Sequence, residues 1–193
     1  MILLTLPQGT MGAEALRVVA ERSLVFRIIN GIFATVAVLF VAGMLALFFS
    51  LKDVKRAHMM IATAFFAVAV GLFLGSTVVE YSLVRLSEAY LSATSDAQRA
   101  AYVATWELAG GVSGAGETLG QVLFSVSLII VSSVMLKARG IFSKAAAYLS
   151  IVAGIVGLVA SIPLPPLEIV SLASNIILAA WFLLVGYDLY KLG

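Results

Sequence analysis

Cysteine is absent from this chain of 193 residues, and histidine occurs once, at position 58. Without cysteine the chain cannot form disulfides, zinc–thiolate sites or iron–sulfur clusters, and it has no thiol nucleophile. The single His58 cannot supply the paired ligands of a b-type haem or the several histidines of an intramembrane zinc hydrolase. We therefore expect no metal or other cofactor and no enzymatic activity.

Charge is also scarce, since 11% of the residues are charged and 62% are hydrophobic. Soluble domains carry about 25% charged residues, so these few charges cannot cover the surface of a soluble protein of this size. The formal net charge of +2 is too small to indicate nucleic-acid binding. The first residues, 1–7, lack the basic start of a cleavable signal peptide. The composition predicts a membrane protein in contact with the lipid bilayer.

Five long stretches contain no Asp, Glu, Lys or Arg, and together they make up more than half of the chain. Each is close to the length of about 20 residues that a membrane-crossing helix needs. Their continuous apolar character differs from the alternation of β-barrel strands. We predict an all-α polytopic transmembrane helix bundle that forms a single domain over residues 1–193. The predicted spans lie at about 25–51, 57–84, 117–137, 144–162 and 167–189.

Two further helices are predicted outside the spans. Residues 11–23 have the charged face of an amphipathic helix that lies in the membrane interface. Residues 96–110 follow a capping-box pattern at Ser95 and Gln98 and precede two glycines that favour a helix end. In this loop helix Tyr102 and Trp106 suit a membrane boundary. Whether residues 98–114 re-enter the membrane is left open by the sequence.

Short connections and small residues predict how the spans pack. The charged link 52–56 is short, which predicts an antiparallel hairpin of the first two spans. Small residues recur at helical spacing in two spans, where they favour close helix packing. These residues are Gly71 and Gly75 in the second span and Ser150, Gly154, Gly157 and Ser161 in the fourth.

The distribution of Lys and Arg predicts the orientation. Seven lie at one end of the spans and five at the other, and the positive-inside rule assigns the richer end to the cytoplasm. We therefore expect a cell-membrane protein with its N-terminus outside and its C-terminus inside. The richer group is Lys52, Lys55, Arg56, Lys137, Arg139, Lys144 and Lys191, and the other is Arg17, Arg22, Arg27, Arg85 and Arg99.

Polar residues gather near the outer ends of the predicted spans, whereas the inner half of the bundle is almost entirely apolar. Polar groups within spans are costly, so they are the first candidates for function. If they face the bundle interior, they form an outward-facing polar pocket. The candidate ligand-binding residues are Arg27, Asn30, Glu80, Glu117, Gln121, Glu168 and Asn175.

Most of these residues also have an ordinary structural explanation. Glu117 and Glu168 are placed in the first turns of predicted helices, where the helix dipole favours a carboxylate. Glu80 lies about 36 Å along the helix from the charged link, which exceeds the hydrocarbon thickness of about 30 Å, so it can simply be hydrated. Arg27 can extend its guanidinium to the headgroups.

The region from Val134 to Pro163 has a short basic loop with Lys137, Arg139 and Lys144, followed by a span that contains Gly154 and Gly157. The final span ends in WFLLVGYDLY, which contains Trp181 and Gly186. These features resemble the domain-of-unknown-function 4386 family of multi-pass prokaryotic membrane proteins. The resemblance covers about the last third of the chain. It implies a helical membrane fold and carries no catalytic residues.

The sequence is compatible with several functions. The first is a non-enzymatic membrane protein whose outward-facing pocket binds a small ligand, a lipid headgroup or a partner. The second is a cation channel or transporter, in which Glu80, Glu117 and Glu168 attract cations and a homo-oligomer encloses the pathway. The third is an accessory subunit that docks onto a partner membrane subunit through its stripes of small residues. A lipid-modifying enzyme is the weakest of the alternatives, because no recognisable catalytic set is present.

Overall fold

The computed structural model describes residues 12–138, 141–162 and 168–191, and the side chains of residues 168–172 and 175 are outside the description. All regular secondary structure in this described part is α-helical, which confirms the all-α prediction. Two helices, Ser23–Leu91 and Asp96–Met135, are long and apolar enough to cross a membrane. The described residues contain five helices, which are α1 (Ala13–Glu21), α2 (Ser23–Leu91), α3 (Asp96–Met135), α4 (Lys144–Ala160) and α5 (Glu168–Tyr190).

Helix α2 is interrupted at Lys55, where the backbone leaves the helical region (φ −153°, ψ 80°). It therefore consists of a first arm, 23–54, and a second arm, 56–91. The Tyr81 hydroxyl of the second arm donates a hydrogen bond to the carbonyl of Arg27 in the first arm, at 3.2 Å. Arg27 also bonds to Glu88, 61 residues further along the chain. The two arms are joined at Lys55 and also touch near their other ends. They therefore run antiparallel, which confirms the predicted hairpin.

The described residues fall into two compact units. Unit 1 contains the residues up to Val38 together with Leu72–Glu117, and unit 2 contains Leu39–Gly71 together with the residues from Thr118 onward. Unit 1 has five arginines and seven carboxylates, a net charge of −2, whereas unit 2 has seven cations and three carboxylates, a net charge of +4. Because α2 and α3 contribute to both units, the expected single domain stays a prediction.

The core of unit 1 forms between α1, the two arms of α2 and α3. Leu16 and Val19 of α1 are fully buried, and they belong to one apolar cluster with Phe26, Val84 and Trp106. The apolar face of α1 therefore packs on protein, whereas the sequence placed it in the membrane interface. Trp106 is only 4% exposed and is a core residue, so its ring packs on protein and does not face lipid headgroups.

Helix α3 is continuous where the sequence predicted a loop helix and a separate span. Its start is as predicted, because the amide of Gln98 donates to the Ser95 hydroxyl at 3.2 Å. The Gln98 side chain accepts from the amide of Thr94, one residue before the expected partner. The helix then passes through Gly110 and Gly111 without ending. Each glycine costs about 1 kcal/mol relative to alanine, a penalty that packing along a 40-residue helix can offset.

In unit 2, α3 packs closely against α4, and α4 packs against α5. The hydroxyl of Ser150 in α4 donates to the carbonyl of Leu128 in α3 at 3.0 Å. A methyl group at Gly154 would lie 2.8 Å from the carbonyl oxygen of Ser125, so glycine is what permits this approach. The predicted packing role of the fourth-span glycines is therefore supported by contacts at Gly154 and Gly157.

The described residues show no such packing at Gly71 and Gly75. A methyl group at either position would meet no atom of the described chain within 4 Å. The spacing of small residues is therefore not sufficient to predict contact, because it does not show which face of the helix meets a neighbour.

Candidate functional site

The carboxyl groups of Glu80 and Glu117 meet inside unit 1. Glu80 lies on the second arm of α2 and is only 4% exposed, and Glu117 lies on α3 and is partly buried. The two side chains are within hydrogen-bonding reach of each other. Two carboxylates at this separation repel each other, so the pair is stable when a proton or another cation neutralises part of its charge. This pair is the centre of the candidate site.

The two helices touch beside the carboxyl pair. The Ser76 hydroxyl donates to the carbonyl of Ser113 at 3.0 Å, and the Ser113 hydroxyl donates to the carbonyl of Ser76 at 3.5 Å. Both serines are buried. A methyl group at Gly116 would lie 2.7 Å from the Ser76 hydroxyl, so a larger residue there would push the helices apart. The reciprocal serine contact fixes the height at which the two helices meet.

The serine contact also explains why the carboxyl groups converge. On each helix the glutamate follows its serine by four residues, which places both on the same helical face. Side chains on a helix lean toward its N-terminus, so Glu80 and Glu117 both lean back toward the serines. The repeated pattern S-x-x-x-E, at 76–80 and 113–117, is a sequence signal for this arrangement. Sequence reasoning missed Ser76 and Ser113 because each helix was considered alone.

Asn30 is a further buried polar residue of this unit, and it is only 1% exposed. Its side-chain Nδ2 has no hydrogen-bond partner among the described residues. The neighbouring Gly31 lies against Tyr81, which places Asn30 at about the level of Glu80 along the hairpin. A buried donor without a partner costs about 1–3 kcal/mol, so this amide is suited to donate a hydrogen bond to an oxygen of a ligand.

Arg27 does not join the carboxyl pair. Its Nη2 donates to both carboxylate oxygens of Glu88, at 2.9 and 2.8 Å, and the two side chains are 43% and 40% exposed. Hydrogen bonds from Ser23 and from Arg27 lower the pKa of Glu88. The prediction that the Arg27 guanidinium lies in the polar pocket is therefore wrong, because Arg27 forms an exposed ion pair with Glu88 across the hairpin.

The remaining candidate residues belong to unit 2. Gln121 lies on α3, and its Nε2 is 2.7 Å from the position that a methyl group at Gly157 of α4 would take. Its described environment is thus a helix-packing contact. Glu168 is the first residue of α5, as the helix-dipole explanation required. The side chains of Glu168 and Asn175 lie outside the described residues.

The structure removes the ordinary explanations for the carboxyl pair. Glu117 lies 21 residues after the first residue of α3, Asp96, so it is not at a helix N-terminus. Glu80 is buried in a helix that continues to Leu91, so it is not a hydrated residue beyond the end of a span. Among the described residues no group of three or more histidine, aspartate or glutamate side chains could hold a metal ion. The arrangement places two carboxyl groups together, close to two buried serine hydroxyls.

Comparison with known proteins gives one match. A family model described as "Domain of unknown function (DUF4386)" matches residues 5–189. The match covers most of the chain, whereas the basic loop and the last two predicted spans indicated a resemblance over the last third. No curated protein and no solved structure matches.

Proposed function

The chain belongs to the domain-of-unknown-function 4386 family, and we propose that it is a five-span integral membrane protein that binds a small polar ligand in unit 1. The two arms of α2, together with α3, α4 and α5, provide the five spans. The N-terminus lies outside and the C-terminus in the cytoplasm, as the distribution of Lys and Arg favours.

Exposed apolar side chains support the membrane location. Large hydrophobic residues are exposed on both units, for example Leu24 of unit 1, which is 69% exposed, and Leu183 of unit 2, which is 76% exposed. Further examples occur on the first arm of α2 and on α4. Extensive exposed apolar surface is rare in monomeric soluble proteins, whereas the acyl chains of a bilayer cover it favourably.

The ligand proposal is based on the carboxyl pair of Glu80 and Glu117. A protonated amine can neutralise both carboxylates at once and donate a hydrogen bond to each. Such a charge-assisted contact is strong in a buried, low-dielectric setting. The Asn30 amide, at the same level of the hairpin, can donate to an oxygen of the same ligand. The ligand class is therefore a primary amine with a nearby oxygen, such as an ethanolamine headgroup.

Ligand-dependent thermal stability of the full chain in neutral detergent tests this proposal. The probes are short-chain phosphatidylethanolamine, which carries N–H donors, and short-chain phosphatidylcholine, whose quaternary ammonium carries none. We expect only phosphatidylethanolamine to raise the melting temperature. The double variant Glu80→Gln/Glu117→Gln keeps the shape of both side chains and should lose this shift.

Glu107→Gln is the matched control, since Glu107 is an exposed glutamate of the same helix and the same unit. It should keep the full shift with phosphatidylethanolamine. An equal shift in the wild-type chain and in the double variant would contradict the ligand proposal.

The carboxyl pair also favours a second candidate, a cation pathway in a homo-oligomer. Glu80 and Glu117 would then attract the cation, and neighbouring copies would enclose its route. Flux of potassium or protons into liposomes that contain the purified chain measures this activity. Flux equal to that of protein-free liposomes would exclude it, and flux that the double Gln variant loses would favour it over ligand binding alone.

A further inference from the structure

A second polar site forms at one end of unit 2, where several helix ends converge. The hydroxyl of Ser127 in α3 donates to the carbonyl of Ala62 in the second arm of α2, at 2.9 Å. Lys55 precedes Ala62 by seven residues, and Lys137 follows Ser127 by ten. Because these segments run antiparallel, both lysines lie beyond the same end of the pair.

The ends of α4 and α5 meet each other in the same unit. Asp188 near the end of α5 accepts hydrogen bonds from the amide and the hydroxyl of Ser143, at 2.9 and 2.8 Å. Ser143 is the N-cap of α4, and its hydroxyl also accepts from the amide of Ala146. Ser150 contacts Leu128 and Gly157 lies against Gln121, so α4 runs antiparallel to α3 and its start lies at the end of α3 that carries Lys137. Lys144 and Lys191 therefore lie at this end as well.

Positive charge is in excess at this end of unit 2. Lys55 and Lys137 are within hydrogen-bonding reach of each other, and the Lys137 ammonium lowers the pKa of Lys55. Among the described residues no carboxylate forms an ion pair with either lysine. Asp188 is engaged by Ser143, and the remaining acidic residue of these segments, Asp53, is exposed. Two ammonium groups in contact repel each other, and an anion bound between them would remove the repulsion.

We propose that Lys55 and Lys137 bind the phosphodiester of an anionic lipid headgroup, such as that of phosphatidylglycerol. The ammonium groups of two different helix ends provide two points of attachment for the phosphate oxygens. Lys144 and Lys191 add positive charge at the same end.

Exposed apolar residues beside the lysines favour a lipid as the source of the phosphate. Met60 follows the reversal at Lys55, and Leu136 precedes Lys137, and both side chains are exposed. Phe49, also exposed, lies under the ammonium of Lys52 at 5.3 Å from its ring centre. Acyl chains can run along these side chains while the headgroup phosphate stays at the lysines. The inference rests on the proposed membrane location, but not on the ligand proposed for unit 1.

Lipid binding to the full chain in neutral detergent, measured by native mass spectrometry, tests the inference. The probes are phosphatidylglycerol, phosphatidylcholine and inorganic phosphate. We expect phosphatidylglycerol to bind more tightly than phosphatidylcholine. Lys55→Gln/Lys137→Gln should weaken it about thirtyfold, from the usual contribution of a lysine near an anionic surface. Lys55→Arg/Lys137→Arg should restore binding, because it restores both charges.

Arg17→Gln/Arg22→Gln is the matched control, since it removes two positive charges from exposed residues of unit 1. It should bind phosphatidylglycerol as the wild-type chain does, and an equal loss in this control would overturn the site. Equal affinity of the wild-type chain and the double Lys→Gln variant would also overturn it. If inorganic phosphate displaces phosphatidylglycerol at equal concentration, the lipid assignment is wrong. Should the double variant not fold, Lys137→Gln alone changes one exposed side chain and must still weaken binding.

Discussion

Arg27 binds Glu88 through both carboxylate oxygens, at 2.9 and 2.8 Å, across 61 residues of sequence. This ion pair joins the two arms of α2 near their free ends and keeps the guanidinium on an exposed side of unit 1. The neighbouring Tyr81 hydroxyl donates to the Arg27 carbonyl and strengthens the same connection. The buried carboxyl pair of Glu80 and Glu117 therefore does not have Arg27 as a counter-ion.

The ion pair predicts a pH-dependent contribution to stability. The pKa of Glu88 is lowered from its ordinary value of 4.5, so its stabilising effect is fully present above pH 4.5. That effect is lost as the pH falls through the lowered folded-state value, because the carboxyl group then takes up a proton. We expect Glu88→Gln to lower the melting temperature slightly at pH 6 and to leave it unchanged at a pH well below the lowered pKa of Glu88.

Thermal unfolding of both proteins between pH 3 and pH 6 measures this difference. Because the pair is exposed, added salt should reduce it as well. A difference that grows toward acid pH would contradict the assignment.

Close packing at Gly154 predicts a loss of stability on substitution. In Gly154→Ala the new methyl group would lie 2.6 Å from Cγ1 of Ile129 and 2.8 Å from the Ser125 carbonyl oxygen, so α3 and α4 must separate. We expect destabilisation by about 1–3 kcal/mol, measured by unfolding in detergent. Gly71→Ala is the control in the same unit, where a methyl group meets no described atom within 4 Å. It should be neutral or stabilising by up to about 1 kcal/mol.

The helix crossing at Gly116 predicts a compensating pair of substitutions. Gly116→Ala alone should destabilise unit 1, because the methyl group would lie 2.7 Å from the Ser76 hydroxyl. Ser76→Ala removes that hydroxyl and should recover much of the loss when the two changes are combined. A double-mutant cycle of unfolding free energies measures the coupling, which we expect at about 0.5–3 kcal/mol. Additive effects would show that the two residues do not meet.

The burial of Trp106 predicts that it is essential for the core of unit 1. Trp106→Ala should destabilise the protein by about 3–5 kcal/mol, because it leaves a large cavity between α1, α2 and α3. The control is Leu108→Ala on the same helix, since Leu108 is 73% exposed. It should change the unfolding free energy by less than about 1 kcal/mol in detergent. Similar losses for the two variants would contradict the assignment of Trp106 to the core.

Local patterns predicted the features that depend on neighbouring residues in the chain. The capping of α3 by Ser95 follows from its spacing to Gln98, and the reversal near Lys55 follows from a short charged link between two apolar runs. Both features are local, because a cap or a reversal is decided within a few residues. The end expected at Gly110 and Gly111 failed because packing along the helix offsets a local penalty.

The sequence by itself determined the all-helical class, the hairpin and the family, since composition and apolar length leave few other structures for the chain. Only the tertiary structure decided which polar residues meet: Glu80 with Glu117, Arg27 with Glu88, and Lys55 with Lys137. Each of these pairs depends on the relative height and rotation of two helix segments. Those quantities are fixed by contacts between the segments, such as Ser76 with Ser113, and the periodicity of a single helix does not contain them.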